Sequence, residues 1–113
     1  IKIYGEFMMF KVGISGDLLN SENEPCFGND PLELLKNRKD IEISWMDKTI
    51  SEITPEMTSF YDAILLNLPK ANAHSVSNND CKLKIISRFG VGFDYVDIEA
   101  MKRKNIIVTK YTQ

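Results

Sequence analysis

Lys84-Ile85-Ile86-Ser87-Arg88-Phe89-Gly90-Val91-Gly92-Phe93-Asp94-Tyr95-Val96-Asp97 opens on β-branched residues, breaks at two glycines and closes on a helix-capping acid. Such a run reads as a strand, a bare-backbone loop and a helix start, one half of a βαβ unit. The same alternation recurs outward from it. Apolar, β-branched runs stand at Phe10–Ile14, Ile41–Trp45 and Ala63–Leu66, then at residues 84–87 and 106–109. Their starts lie roughly 20 to 30 residues apart, too far for hairpins and right for a strand plus a crossover. The third and fifth are continuously apolar, as parallel strands covered on both faces are.

Helix signals fill the gaps. Asp30 followed by Pro31 is a cap and a first-turn proline, with Leu32, Leu34 and Leu35 as the apolar stripe and Lys39 as the end. Thr54-Pro55 repeats the device, and Glu56 suits the first turn. Asn72 can cap a short helix carrying Ala73 and Val76, and Asp97 a last helix from Ile98 to Lys104. The sum, βαβαβαβαβ with right-handed crossovers, predicts an α/β fold: a flavodoxin-like three-layer sandwich, its five-stranded parallel sheet in the order 2-1-3-4-5.

The chain has 113 residues, 43% of them apolar, enough for one domain with a core of normal size. Fourteen basic against 16 acidic residues leave a charge of −2, which argues against nucleic acid or an anionic membrane as a partner held by bulk charge. No apolar stretch is long enough to span a bilayer. Cys26 and Cys81 make neither a metal spacing nor a disulfide framework, so no metal site is expected and a reducing cytoplasm is the expected location. Residues 1–8 read as a non-native or disordered leader, since Ile1 is not an initiator and Met8 and Met9 directly precede the first strand. The domain is then residues 9–113. Residues 15–29 form a long loop after the first strand, a place where function is often carried.

Gly90-x-Gly92 resembles half of a dinucleotide fingerprint, but Tyr95 stands at the third glycine position and no acid follows about 20 residues on. What remains is a glycine loop whose amides at Val91 and Gly92 can meet an anion, or a tight turn with no ligand. Asn67, past the third strand, fits either a substrate contact beside Leu68 or an ordinary turn before Pro69. Arg88 suits a carboxylate or a structural pairing with Asp94 or Asp97. Asp97 reads as a helix cap and Asp94 as a turn residue rather than an acid pair. His74, the sole histidine, reads as surface, and Trp45 and Met46 as packing.

The run from Leu83 to Asp97, with Ala100 and Asn105-Ile106-Ile107-Val108-Thr109, resembles the N-terminal domain of D-isomer-specific 2-hydroxyacid dehydrogenases. The resemblance implies a substrate-binding domain, with the Val91 and Gly92 backbone, and Gly90, Asn67 and Leu68 around it, receiving a small 2-hydroxy or 2-keto acid. It implies an NAD- or NADP-binding domain elsewhere in the full-length protein, together with the catalytic Arg, Glu and His. This chain alone would then hold no catalytic or cofactor residues and be inactive, and the full-length enzyme would be a homodimer. Lys110-Tyr111-Thr112-Gln113 departs from the family's Asn-Thr-Pro-like hinge.

A receiver-like signalling module is the alternative. It shares the fold and length, and Asp17, Asn67, Ser87 and Lys110 fall near its functional positions. Asn67 cannot accept a phosphoryl group, and a lone Asp17 is a poor magnesium ligand set, so the module would be degenerate.

Overall fold

The computed structural model describes residues 9–28, 30–90 and 94–111. Five parallel strands run β1 (Phe10–Ile14), β2 (Ile41–Trp45), β3 (Ala63–Leu66), β4 (Ile85–Phe89) and β5 (Ile107–Tyr111). Their order in the sheet is β2-β1-β3-β4-β5, as the alternating pattern predicts. Helices α1 (Asp30–Lys36), α2 (Pro55–Phe60) and α3 (Ile98–Arg103) and two single 3₁₀ turns, Gly16–Leu18 and His74–Val76, make the crossovers. The reading of residues 1–8 as a leader falls outside the described residues.

Three of the four expected caps form, while Asp30, expected as the cap before Pro31, is itself the first residue of α1. Thr54 Oγ1 accepts a hydrogen bond from the Met57 amide at 3.3 Å, and Asp97 Oδ1 from the Ala100 amide at 3.0 Å. Asn72 Oδ1 takes the Ser75 amide at 3.1 Å while Ser75 Oγ takes the Asn72 amide at 3.0 Å, a reciprocal pair that locks the 3₁₀ turn. Two further details of α1 differ from expectation. It ends at Lys36, short of Lys39, and Leu34 is 76% exposed, so Leu32 is the leucine of this helix that enters the core.

The sheet separates two unequal layers. On one face Ile64, Leu66 and Ile86 pack with Ile53, Val76, Ala100 and Met101 into the main core. On the other, Ile14, Leu18 and Leu32 are buried, and Val12, Ile43, Trp45, Leu65 and Phe89 are only half-buried around them. A cavity of about 520 Å³ opens there between α1, Phe27 and the β3 and β4 residues Leu65, Ser87 and Phe89. β5 therefore differs from the expectation of cover on both faces: Ile107 is 60% exposed.

Register brings the carboxyl ends of β1, β3 and β4 side by side. Ile14 faces Leu65, and Leu66 faces Arg88. β1 and β3 are neighbours in the sheet but lead away in opposite directions, which makes the gap between them the topological switch point where this class of sheet receives ligands.

Candidate functional site

Four residues meet at that carboxyl edge. Ser15 follows β1 and is fully buried, its amide donating to the Leu65 carbonyl at 2.8 Å. Gly16 starts the 3₁₀ turn that brings Asp17 back over the edge. A Cβ at Gly16 would lie 2.2 Å from the Met46 carbonyl oxygen, so the turn can tuck beneath the chain leaving β2 only with glycine here. Asp17 is an acceptor hub. Oδ1 accepts from the Ser15 hydroxyl, and Oδ2 accepts from Asn67 Nδ2 at 2.7 Å and from the Leu68 amide at 3.2 Å.

Asn67 joins Asp17 to Arg88. Its Oδ1 lies 3.5 Å from Arg88 Nη1, a long contact, and Nη1 also donates to the Phe89 carbonyl. Arg88 stands on the same face of β4 as Ile86 and is 8% exposed, an unusual position for a guanidinium. Its charge is covered by the Tyr95 ring, whose centroid lies 5.6 Å from Cζ. The Tyr95 backbone is pinned for this: its carbonyl accepts from the Ala71 amide at 2.8 Å, and Ala71 in turn accepts from the Asp97 amide at 2.9 Å. Among the described residues Arg88 Nε has no partner, and Arg88 pairs with neither Asp94 nor Asp97. Asp97 spends its carboxylate on the helix cap, and Asp94 is exposed in the turn.

Gly90 leaves β4 at φ +138°, a conformation L-residues avoid, and a Cβ there would lie 2.8 Å from Arg88 Nη1. The backbone turns there because the residue is glycine, and the turn stacks the start of the loop on the guanidinium. Val91 and Gly92 themselves lie outside the described residues. Asn67 is half-buried and the Leu68 side chain 57% exposed, both at this edge.

The other candidates lie elsewhere. His74 is exposed in its 3₁₀ turn. Trp45 stacks on Phe27 at 6.4 Å and Met46 enters the main core. Ser87 points to the opposite face of the sheet, where its Oγ accepts from Thr109 at 3.2 Å, so it does not join Asp17 and Asn67 as a receiver's hydroxyl must. The residues present do not fit a dinucleotide: Tyr95 fills the place of the third glycine and its ring lies over Arg88. Among the described residues no helix is long and apolar enough to cross a membrane, and no cluster of three His, Cys, Asp or Glu can hold a metal ion.

Sequence reasoning set Asp17 beside Asn67 only in the receiver-like alternative, and it missed Phe27, which packs against Trp45 and at 6.0 Å against Phe89. The available signal was position. A polar residue one turn after β1 lies at the switch point whatever its identity.

Known proteins share both sequence and fold. D-3-phosphoglycerate dehydrogenase of Synechocystis is 32% identical over 106 residues, 94% of this chain, and that of Bacillus subtilis is 27% identical over 100 residues, 88% of this chain. This chain spans 17% of the length of each. A solved structure described as the pyruvate reductase of Chlamydomonas reinhardtii superposes with a TM-score of 0.62 at 16% identity, covering 96% of this chain and 31% of its own. Residues 23–113 match the D-isomer specific 2-hydroxyacid dehydrogenase, catalytic domain family, and the chain belongs to that family.

Proposed function

We propose that this chain is the substrate-binding domain of a longer NAD- or NADP-dependent oxidoreductase that oxidises a D-2-hydroxy acid or reduces a 2-keto acid. The observation that carries this reading is Arg88: a guanidinium nine-tenths buried, with Nε unpartnered among the described residues, at the carboxyl edge of the sheet next to the switch point. Burying such a charge is costly unless something anionic meets it. A carboxylate does so with two oxygens that match the guanidinium fork.

In this reading the amides of Val91 and Gly92 and the open backbone at Gly90 take the carboxylate beside Arg88. Asn67 borders the site, and the exposed Leu68 side chain forms its apolar wall. The cofactor, the catalytic Arg, Glu and His, and the dimer contact belong to the rest of the enzyme, so this chain alone binds no dinucleotide and is inactive. Two free cysteines, one exposed and one half-buried, suit a reducing cytoplasm.

Kinetics of the full-length enzyme test the loop. Gly92→Val adds a branched side chain where the ligand approaches and removes two charge-assisted amide contacts, worth about 2–4 kcal/mol or about 30- to 1000-fold in kcat/KM. Asp94→Asn, in the exposed turn, leaves kcat/KM within about threefold. Near-normal kinetics in a folded Gly92→Val variant, with Asp94→Asn inactive, would show the backbone reading to be wrong.

A further inference from the structure

Asn67 lies between an acceptor and a donor, and that decides which way its amide faces. The Asp17 carboxylate can only accept, so the Asn67 amino group must point to it, at 2.7 Å. The amide carbonyl then points to Arg88 Nη1, at 3.5 Å. The side-chain hydrogen bonds along the edge converge on Asp17. Arg88 donates to Asn67, and Asn67 donates to Asp17, which also accepts from the Ser15 hydroxyl and the Leu68 amide. One N–H of the Asn67 amino group and the Leu68 amide are thus committed to Asp17.

We propose that Asp17 is a positioning residue for the anion site: by accepting from Asn67 and Leu68 it keeps the Asn67 carbonyl, not the amino group, turned to Arg88, and so aims the guanidinium. The proposal rests on the reading of this edge as the substrate site. An incoming carboxylate meets an acceptor at Asn67 and is turned away from it, towards Arg88. Were the amide reversed, its amino group would oppose the guanidinium and compete for the same carboxylate. Asp17 thereby sets how the guanidinium is presented to the acid group and where that group lies relative to the rest of the substrate.

Three variants of the full-length enzyme separate geometry from charge. Asp17→Asn loses the charge but keeps the bonds: its single Oδ1 accepts from Asn67 and Leu68, and its amino group donates to Ser15, whose hydroxyl can rotate to accept. Asp17→Glu keeps the charge and displaces the acceptor by a methylene. Asp17→Ala loses both. The expected result is about a tenfold or greater fall in kcat/KM for the Glu and Ala variants, mostly in KM, with Asn restoring the value to within about threefold. If Ala does not fold, the Asn and Glu pair still decides. Lower melting temperature with unchanged KM in Asp17→Glu, or equal losses in Asn and Glu, would overturn the proposal.

A second readout needs no turnover. In the full-length enzyme labelled with ¹⁵N-arginine, the Arg88 Nε–H resonance should shift in Asp17→Glu and Asp17→Ala and hold in Asp17→Asn. Absence of shift in all three overturns the positioning role. A wild-type protein inactive on every 2-hydroxy and 2-keto acid overturns the functional reading alone, since the resonance still reports on Asp17.

Discussion

At the amino edge of the sheet Asp62 faces Lys84 directly, whereas at the carboxyl edge Asn67 keeps Asp17 and Arg88 apart. Asp62 is 6% exposed and accepts from the Lys11 amide at 2.9 Å and from Lys84 Nζ at 3.1 Å. Burial pulls its pKa up, but the Lys11 amide and the Lys84 ammonium outweigh burial and hold it below the usual carboxylate range. The second lysine there, Lys11, lays its ammonium 4.2 Å over the Phe60 ring. Charge at this edge is thus satisfied internally. At the carboxyl edge the acid is occupied by neutral donors, and the buried cation keeps an unpartnered nitrogen among the described residues. An edge that cancels its charges holds strands together, and an edge that withholds one has a cation to offer a ligand.

The sharpest break with this contrast would come from exchanging cations. Arg88→Met keeps the packed stem and removes the fork, and about 100-fold should be lost from kcat/KM of the full-length enzyme. Steady-state kinetics on a 2-keto acid series would show it, and an unaffected variant would put Arg88 among the structural residues. Gly90→Ala comes next. It forces φ +138° on an L-residue and sets a methyl 2.8 Å from Nη1, so about tenfold in KM and about 1–3 kcal/mol of stability should go together. A variant with unchanged KM would mean that the loop does not transmit the turn to the site.

Asp62→Ala should cost about 1–3 kcal/mol in urea unfolding, because it leaves the Lys11 amide without its acceptor, and should leave kcat/KM alone. Its pH dependence has a definite sign. A carboxylate with a lowered folded pKa contributes fully above its unfolded value, about 3.9, and less as pH falls through the folded one. The stability gap between wild type and Asp62→Ala should therefore narrow on acidification, and a gap that widens would contradict the pairing. Lys84→Met should do least. The Lys84 side chain is 65% exposed, and solvent screening limits its pairing with Asp62 to about 1 kcal/mol or less. A larger loss would mean the amino edge depends on charge more than on the Lys11 amide.

Much of this arrangement is legible in the sequence, and the misses have physical causes. The first three strands fall where the β-branched runs place them, while β4 and β5 each begin one residue later and continue two residues further. Arg88 and Phe89 extend the ladder because they pair with Lys110 and Tyr111, a register no single run reveals. Leu34 is two residues from Leu32, about 200° around a helix, so both cannot enter one core. Arg88 shares the inward alternation of Ile86, which marks it as buried, but its neighbour Asn67 is 21 residues away and arrives only through the β3–β4 pairing. Asp17 is 50 residues from Asn67, and only the switch-point topology brings them together.

Titration of the ¹⁵N-arginine-labelled full-length enzyme with pyruvate, as the simplest 2-keto acid, followed at the Arg88 Nε–H resonance with Asp62→Ala run in parallel, asks whether the withheld cation is the one that meets the ligand. A saturable shift at Arg88 that persists in Asp62→Ala, with a midpoint matching KM, is the predicted result. Turnover of the same acid with an unmoved Arg88 resonance would contradict it.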